Sequence, residues 1–187
     1  MNRKKPTIHQ IKTVATSRLF RVEELDLEFS NGEQRIYERI ASRGHGAVLI
    51  IPLLRHANND DEILLIREYA AGTDRYELAF PKGKVEQGEA ILAAANREIM
   101  EEVGYESRQI TLLKKLSLAP GYMGHVTSVI LAEDLVEHRE PGDEPEEIEV
   151  VPWKLSEIDQ LIDRDDFAEG RSVAALYLLD KYLSQNA

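Results

Sequence analysis

The chain of 187 residues contains no cysteine, which excludes disulfide cross-links and thiolate zinc sites. It also lacks any apolar run approaching the roughly eighteen residues of a membrane-spanning helix. Its first segment, MNRKKPTIHQIKTVA, has no apolar stretch of signal-peptide length. A soluble, cytoplasmic protein with no membrane partner is therefore expected. Basic residues are scarce relative to acidic ones: 23 Lys and Arg against 34 Asp and Glu leave a net charge of −11. General binding to a nucleic-acid backbone needs the opposite surplus, so no nucleic-acid partner is expected. An anionic small molecule would have to be met by a metal ion and local arginines. No internal repeat is present, which removes solenoids and propellers.

The length suits one domain, or one domain with a small N-terminal sheet, and one active site per chain. Residues 1–10 are polar and are expected to be mobile. Leu19–Phe29 alternates as a strand, Ser30–Glu33 reads as a hairpin turn, and Gln34–Ile40 returns as its partner. Two strands alone are marginal, so this segment, residues 1–43, must lean on the rest of the chain or on a second subunit. Residues 44–187 then carry the main domain. Within it Ala47–Leu54, Glu62–Tyr69, Arg75–Phe80, Ile110–Ser117, Thr127–Glu133 and Ile148–Trp153 read as strands. Glu89–Val103, Lys154–Ile162 and Ser172–Leu183 read as helices. The acidic, proline-bearing Glu137–Glu147 reads as a solvated loop. Strands around a central helix with more helix at the end imply a layered α/β domain.

The most informative stretch is GKVEQGEAILAAANREIMEEVGY, Gly83 to Tyr105. From Glu89 to Val103 it is rich in Ala, Glu, Ile, Leu and Met, free of internal Gly and Pro, and bracketed by Gly88 and Gly104, so a helix of about four turns is expected. Glu98 lies three residues before Glu101 and four before Glu102, which crowds these carboxylates on one face. Like charges so spaced cost a few tenths of a kcal/mol per pair. A hard divalent cation reverses that sign. An all-carboxylate set points to Mg²⁺ or Mn²⁺ rather than Zn²⁺, because no Cys or paired His is nearby. A solvated acidic helix is the plain alternative. The small apolar positions Ala90, Ala93, Ala94, Ile91, Ile99 and Val103 would pack the helix on a sheet and turn its acids toward a cleft.

These residues resemble the signature of the Nudix hydrolases, in which fixed positions follow the pattern G-x5-E-x7-R-E-U-x-E-E-x-G-U with U a bulky aliphatic. Gly83, Glu89, Arg97, Glu98, Glu101, Glu102 and Gly104 match it. Ile99 fits the first U, and Tyr105 departs mildly at the last position. The resemblance implies an α/β/α sandwich with a mixed sheet. It further implies that Glu98 and Glu102 are the main metal ligands with Glu101 alongside, that the Lys82 carbonyl is a further ligand, and that Glu89 pairs with Arg97 to hold the Gly83–Gly88 loop. Segments IREYAAGTDRYELAFPKG, LAPGYMGH and GDEPEEIEV resemble the ADP-ribose pyrophosphatase and ADP-compound hydrolase branch.

That branch implies Mg²⁺-dependent hydrolysis of the diphosphate in ADP-linked compounds, with release of AMP from ADP-ribose. Glu144 is the favoured general base and Glu146 the next. Pro120, with Gly121, stands about fifteen residues past the box, where the branch carries a proline. The branch also implies a homodimer built by exchange of N-terminal strands, with Phe20 stacking on adenine and Arg39, Arg43 and Arg67 as candidate cations for the diphosphate. Two positions depart from the branch: Ala70 replaces an arginine that grips substrate, and His125 replaces a glutamate near the terminal sugar. Both favour a broader specificity that takes in NADH or diadenosine polyphosphates. The competing readings are a nucleotide-sugar or nucleoside triphosphate pyrophosphatase, and a non-catalytic module that binds ADP-ribose or NAD. Three intact acids favour an enzyme.

Overall fold

β-Branched residues fill the segment TIHQIKTVAT, and it forms strand β1 (Thr7–Thr16) in the computed structural model, which describes residues 4–42, 44–57 and 60–186. β1 pairs antiparallel with β2 (Arg21–Glu28), which pairs with β3 (Gln34–Ile40). The N-terminal sheet thus has three strands where the sequence reading has two, and the expectation of mobile residues 1–10 is corrected from Thr7 onward. The physical reason lies in β1 itself. Its register slips between Ile8 and Gln10 and again between Thr13 and Ala15, and every residue of it is exposed. Two bulges and no buried face erase the period-2 pattern that marks a strand in sequence. The β2–β3 turn closes where Gly32 takes a left-handed φ of 84° and Asn31 accepts the Glu33 amide at 3.1 Å.

The chain divides into two compact units. The first comprises residues up to 43 with 117–126, and the second comprises 44–116 with 127–187. In the first, Ile40 donates its amide to the Tyr122 carbonyl, and the Ala119 carbonyl caps a turn by accepting from Tyr122 and Met123.

In the second unit, β4 (Ala47–Leu54) and β9 (Val126–Glu137) run parallel at the centre of a sheet ordered β10-β5-β4-β9-β8, with β5 (Glu62–Ala70), β8 (Tyr105–Ser117) and β10 (Glu149–Lys154). β4 pairs antiparallel with β5, so the sheet is mixed. Successive side chains of β4 point to opposite faces. Val48 and Ile50 pack toward α1 (Ile91–Glu102) with Ala94, Ala95 and Ile99, while Leu49, Ile51 and Leu53 pack with Leu161 of α2 (Ile158–Ile162) and with Ala175, Leu176 and Leu179 of α3 (Gly170–Asn186). Helices therefore cover both faces, giving an α/β/α sandwich. No helix among the described residues is long and apolar enough to cross a membrane.

One irregularity positions the site. β4 bonds β5 only through Leu53 and Leu54, whereas its first half, Ala47–Leu49, pairs with β7 (Lys82–Lys84). β6 (Arg75–Ala79) meanwhile pairs with β5. The chain between β6 and β7 thus leaves one partner of the sheet for another, carrying Lys82 and Gly83 up against α1. Ser172 at the start of α3 accepts the Phe80 amide at 3.1 Å and fixes this crossing from the other face.

Candidate active site

Helix α1 is shorter than the sequence reading: it begins at Ile91 because Glu89 is used in the turn before it. There Glu89 accepts the Glu86 amide at 2.9 Å and donates its own to the Glu86 carbonyl. It ends at Gly104, whose φ of 85° lets its amide fold back to the Ile99 carbonyl at 2.9 Å. Within these limits Glu98 and Glu102 stack one turn apart, 9% and 6% exposed.

Arg97 ties the cluster together. Its Nε and Nη2 donate to the two oxygens of Glu89 at 3.0 and 3.2 Å, and Nη2 also donates to the Lys84 carbonyl at 3.0 Å. Nη1 lies 2.9 Å from Glu98 and 3.1 Å from Glu101. The Arg97 hydrogen bond holds Glu89 below the usual carboxylate range. Glu102 accepts the Lys82 amide at 3.0 Å, while the Lys82 ammonium pairs with Glu68 on β5.

Burial dominates the electrostatics of the remaining acids. It pushes Glu98 upward, with Arg97 opposing and Glu101 and Glu89 adding to it. It pushes Glu102 to about 8, with Lys82 opposing and Glu98 and Glu68 adding to it. Gly83 faces Glu98 so closely that a Cβ there would overlap the carboxyl group of Glu98. The donors are hard oxygens that ionise at a cost, and they sit beside a backbone that has given up its side chain to make room. Such a set suits Mg²⁺ or Mn²⁺. As arranged, no three acidic or histidine side chains among the described residues converge tightly enough to hold an ion. Arg97 engages one oxygen of Glu98 and one of Glu101, and the Lys82 amide engages one oxygen of Glu102, which leaves each carboxylate with lone pairs for an ion.

The acids border a cleft of 390 Å³, closed on the other side by residues Arg139 to Ile148. A neighbouring cleft of 630 Å³ shares Glu98, Glu101, Glu102 and Glu144 and reaches Lys82–Glu86 and Arg97. Glu144 borders both, and burial followed by Glu68 and Asp143 raises its pKa. A third cleft, of 370 Å³, holds Arg67, Tyr69, Tyr76, Glu144 and Glu146. There Arg67 is committed to Glu149 at 3.1 Å and Asp166 at 2.8 Å, and Glu146 accepts from the Tyr76 hydroxyl.

The remaining sequence candidates lie in the first unit. Phe20 is half exposed beside the turn in which Ser17 donates its amide to the Phe20 carbonyl. Arg39 is paired with the buried Glu23 at 2.9 Å. Pro120 and Gly121 occupy the turn capped by Ala119, and Arg43 falls outside the described residues. The sequence reading did not single out Glu68, the Lys82 side chain, Arg139 or Tyr76. Glu68 alone left a signal, as a charge two residues past the buried Ile66 on the same strand face.

Comparison with known proteins agrees with this geometry. Residues 45–176 match the NUDIX domain model, and residues 6–39 match the model of the NudE-type Nudix hydrolase N-terminal domain. The chain is 48% identical to the ADP compounds hydrolase NudE of Escherichia coli (strain K12), across 96% of this chain and 94% of that one. It is 27% identical to an ADP-ribose pyrophosphatase of Bacillus subtilis (strain 168), across 90% and 91%. A crystal structure of an ADP compounds hydrolase superposes with a TM-score of 0.90 at 46% identity, covering 100% of this chain and 98% of the other. With its signature helix set against the sheet and both family models matched in order, the chain belongs to the Nudix hydrolases, in their NudE-type branch.

Proposed function

We propose that this hydrolase splits the diphosphate of ADP-linked compounds, ADP-ribose among them, and that NADH and diadenosine polyphosphates are also taken. The observation that carries this reading is the stack of buried carboxylates on α1 facing a cleft across from Gly83. Relatives named for ADP compounds and for ADP-ribose support the choice of nucleotide.

Glu98 and Glu102, with Glu101 and the Lys82 carbonyl, would hold Mg²⁺ or Mn²⁺. When bound, the ion would polarise the phosphoryl oxygens and offset the charge that develops as the anhydride breaks. Arg97 braces the helix face through Glu89, which keeps the turn of residues 83–88 against it. Glu144 accepts the proton of the water that attacks phosphorus. Its raised pKa brings a carboxylate closer to the range in which a base works near neutrality. One water is consumed, and ADP-ribose yields AMP and ribose 5-phosphate.

The test is a set of parallel rates on ADP-ribose, NADH, diadenosine triphosphate, a nucleotide sugar and a nucleoside triphosphate, each with Mg²⁺ and with EDTA. AMP release from the adenosine compounds should exceed turnover of the last two by at least about tenfold, a difference in transition-state binding near 1.4 kcal/mol. Preference for the nucleotide sugar or the triphosphate would replace the substrate assignment. Binding of ADP-ribose without turnover would replace the enzyme by a sensor.

We propose also that residues 1–43 form a dimerising segment for a hydrolase domain of residues 44–187. Ile8 and Ile11, which pair with Leu27 and Leu25 and so share their face, are 48 and 49% exposed on the three-stranded sheet, an apolar patch that suits a second copy of the chain. Light scattering should return twice the 21.2 kDa chain mass, and a monomer at working concentration would remove this part.

A further inference from the structure

The acidic loop is fastened at its ends and nearly unfastened between them. At its start the His138 amide donates to the Gly104 carbonyl at 3.0 Å and the Glu140 amide to the Met100 carbonyl at 3.1 Å. At its end Glu149 opens β10 and pairs with Arg67. From Pro141 to Ile148, among the described residues, one side chain bonds to the rest of the unit: Glu146 accepts the Tyr76 hydroxyl on both oxygens, at 2.8 and 3.1 Å.

Tyr76 is well suited to be the fixed partner. It stands on β6 directly across from Tyr69 of β5, their rings edge to face at 5.7 Å. Tyr69 is held in turn by a hydrogen bond to Asp74 at 2.7 Å. The hydrogen bond to Glu146 also raises the pKa of the Tyr76 phenol, which favours its donor form. The link from anchor to cleft is short. Glu144 precedes Pro145, and a residue before proline is biased to extended backbone while the proline fixes its own φ, so few backbone rotations separate Glu144 from Glu146.

We propose that Tyr76 is a positioning residue for hydrolysis: by anchoring Glu146 it holds Glu144 at the cleft beside Glu98 and Glu102. The same contact assigns different tasks to the two acids, Glu146 as the anchor and Glu144 as the base. This deepens the functional reading above and rests on it.

The test is a double-substitution cycle on the full chain, with kcat and KM measured for ADP-ribose at saturating Mg²⁺. Tyr76→Phe and Glu146→Ala should each lower kcat about tenfold, the weight of one hydrogen bond to a charged acceptor, with KM changed little. The double variant should fall no further than either single one, because both remove the same contact. Glu144→Gln should lose on the order of 10²-fold or more. Tyr76→Phe with wild-type kcat, or losses that multiply in the double variant, would overturn the anchor. A larger loss for Glu146→Gln than for Glu144→Gln would overturn the assignment of base and anchor. Backbone amide exchange across residues 141–148 separates this proposal from the substrate reading. Faster exchange in Tyr76→Phe than in wild type supports the anchor even if no ADP-linked compound is turned over, and equal exchange rejects it.

Discussion

Glu102→Gln is expected to lower kcat on the order of 10³-fold or more while making the metal-free protein more stable at neutral pH. Both effects have one cause. Glu102 is 6% exposed, and burial holds its pKa at about 8 against an ordinary value of 4.5. A carboxyl whose folded pKa is raised binds its proton more tightly in the folded state. As pH climbs from 4.5 toward 8 the unfolded chain releases this proton while the folded one keeps it, so stability erodes, and the full cost is present above 8. At pH 7 the wild-type chain carries a penalty of about 3 kcal/mol from this group, at roughly 1.4 kcal/mol per pH unit.

Glutamine keeps an oxygen for the Lys82 amide and carries no charge, so it escapes the penalty. The melting temperature of Glu102→Gln should exceed that of wild type at pH 7, and the gap should close toward pH 4.5. Mg²⁺ should raise the melting temperature of wild type and scarcely move that of the variant, because an ion stabilises only the state that binds it. Calorimetry adds a check on the same group. Below pH 8 ion binding must displace the Glu102 proton, so affinity should fall by up to tenfold per pH unit and protons should be released. A variant that keeps its turnover, or a wild type whose ion affinity is level between pH 6 and 8, would remove Glu102 from the ligand set.

Gly83→Ala is the second large effect. The Gly83 backbone is not in the left-handed region, so alanine is tolerated by the chain itself. The obstacle is the Glu98 carboxyl group, with which the new Cβ would overlap. A glutamate side chain is flexible and will swing away, so the fold should survive with a melting temperature within a few degrees of wild type. The carboxylate will not survive in place. Misplacement by about 1 Å costs on the order of 10²-fold in rate, and this displacement is larger. Because the damage passes through Glu98, the pair Gly83→Ala with Glu98→Ala should be no slower than Glu98→Ala alone. Near-wild-type kcat in Gly83→Ala would mean that Glu98 need not occupy that position.

The features that could be read from sequence are those encoded within a few residues. The spacing of Glu98, Glu101 and Glu102 on a helix ended by Gly104 follows from the 3.6-residue period and from a glycine that can take positive φ. The buried run Ala47–Leu54 reads as a central strand because both of its faces are covered. The partners of Arg97 are partly local as well, since Glu101 stands one turn along the helix. β1 escaped because two bulges and a fully exposed surface remove its alternation.

Sequence alone determined the acidic helix face and the family it marks, because a helix carries its own geometry from residue to residue. Tertiary structure decided how that face is used. Lys82 and Glu68 are 14 residues apart, and Tyr76 and Glu146 are 70 apart. Their meeting depends on β6 pairing with β5 while β7 pairs with β4, a choice of strand partner that no local period records. The raised pKa of Glu102 belongs to the same class, since burial is a property of everything packed around a residue rather than of its neighbours in the chain.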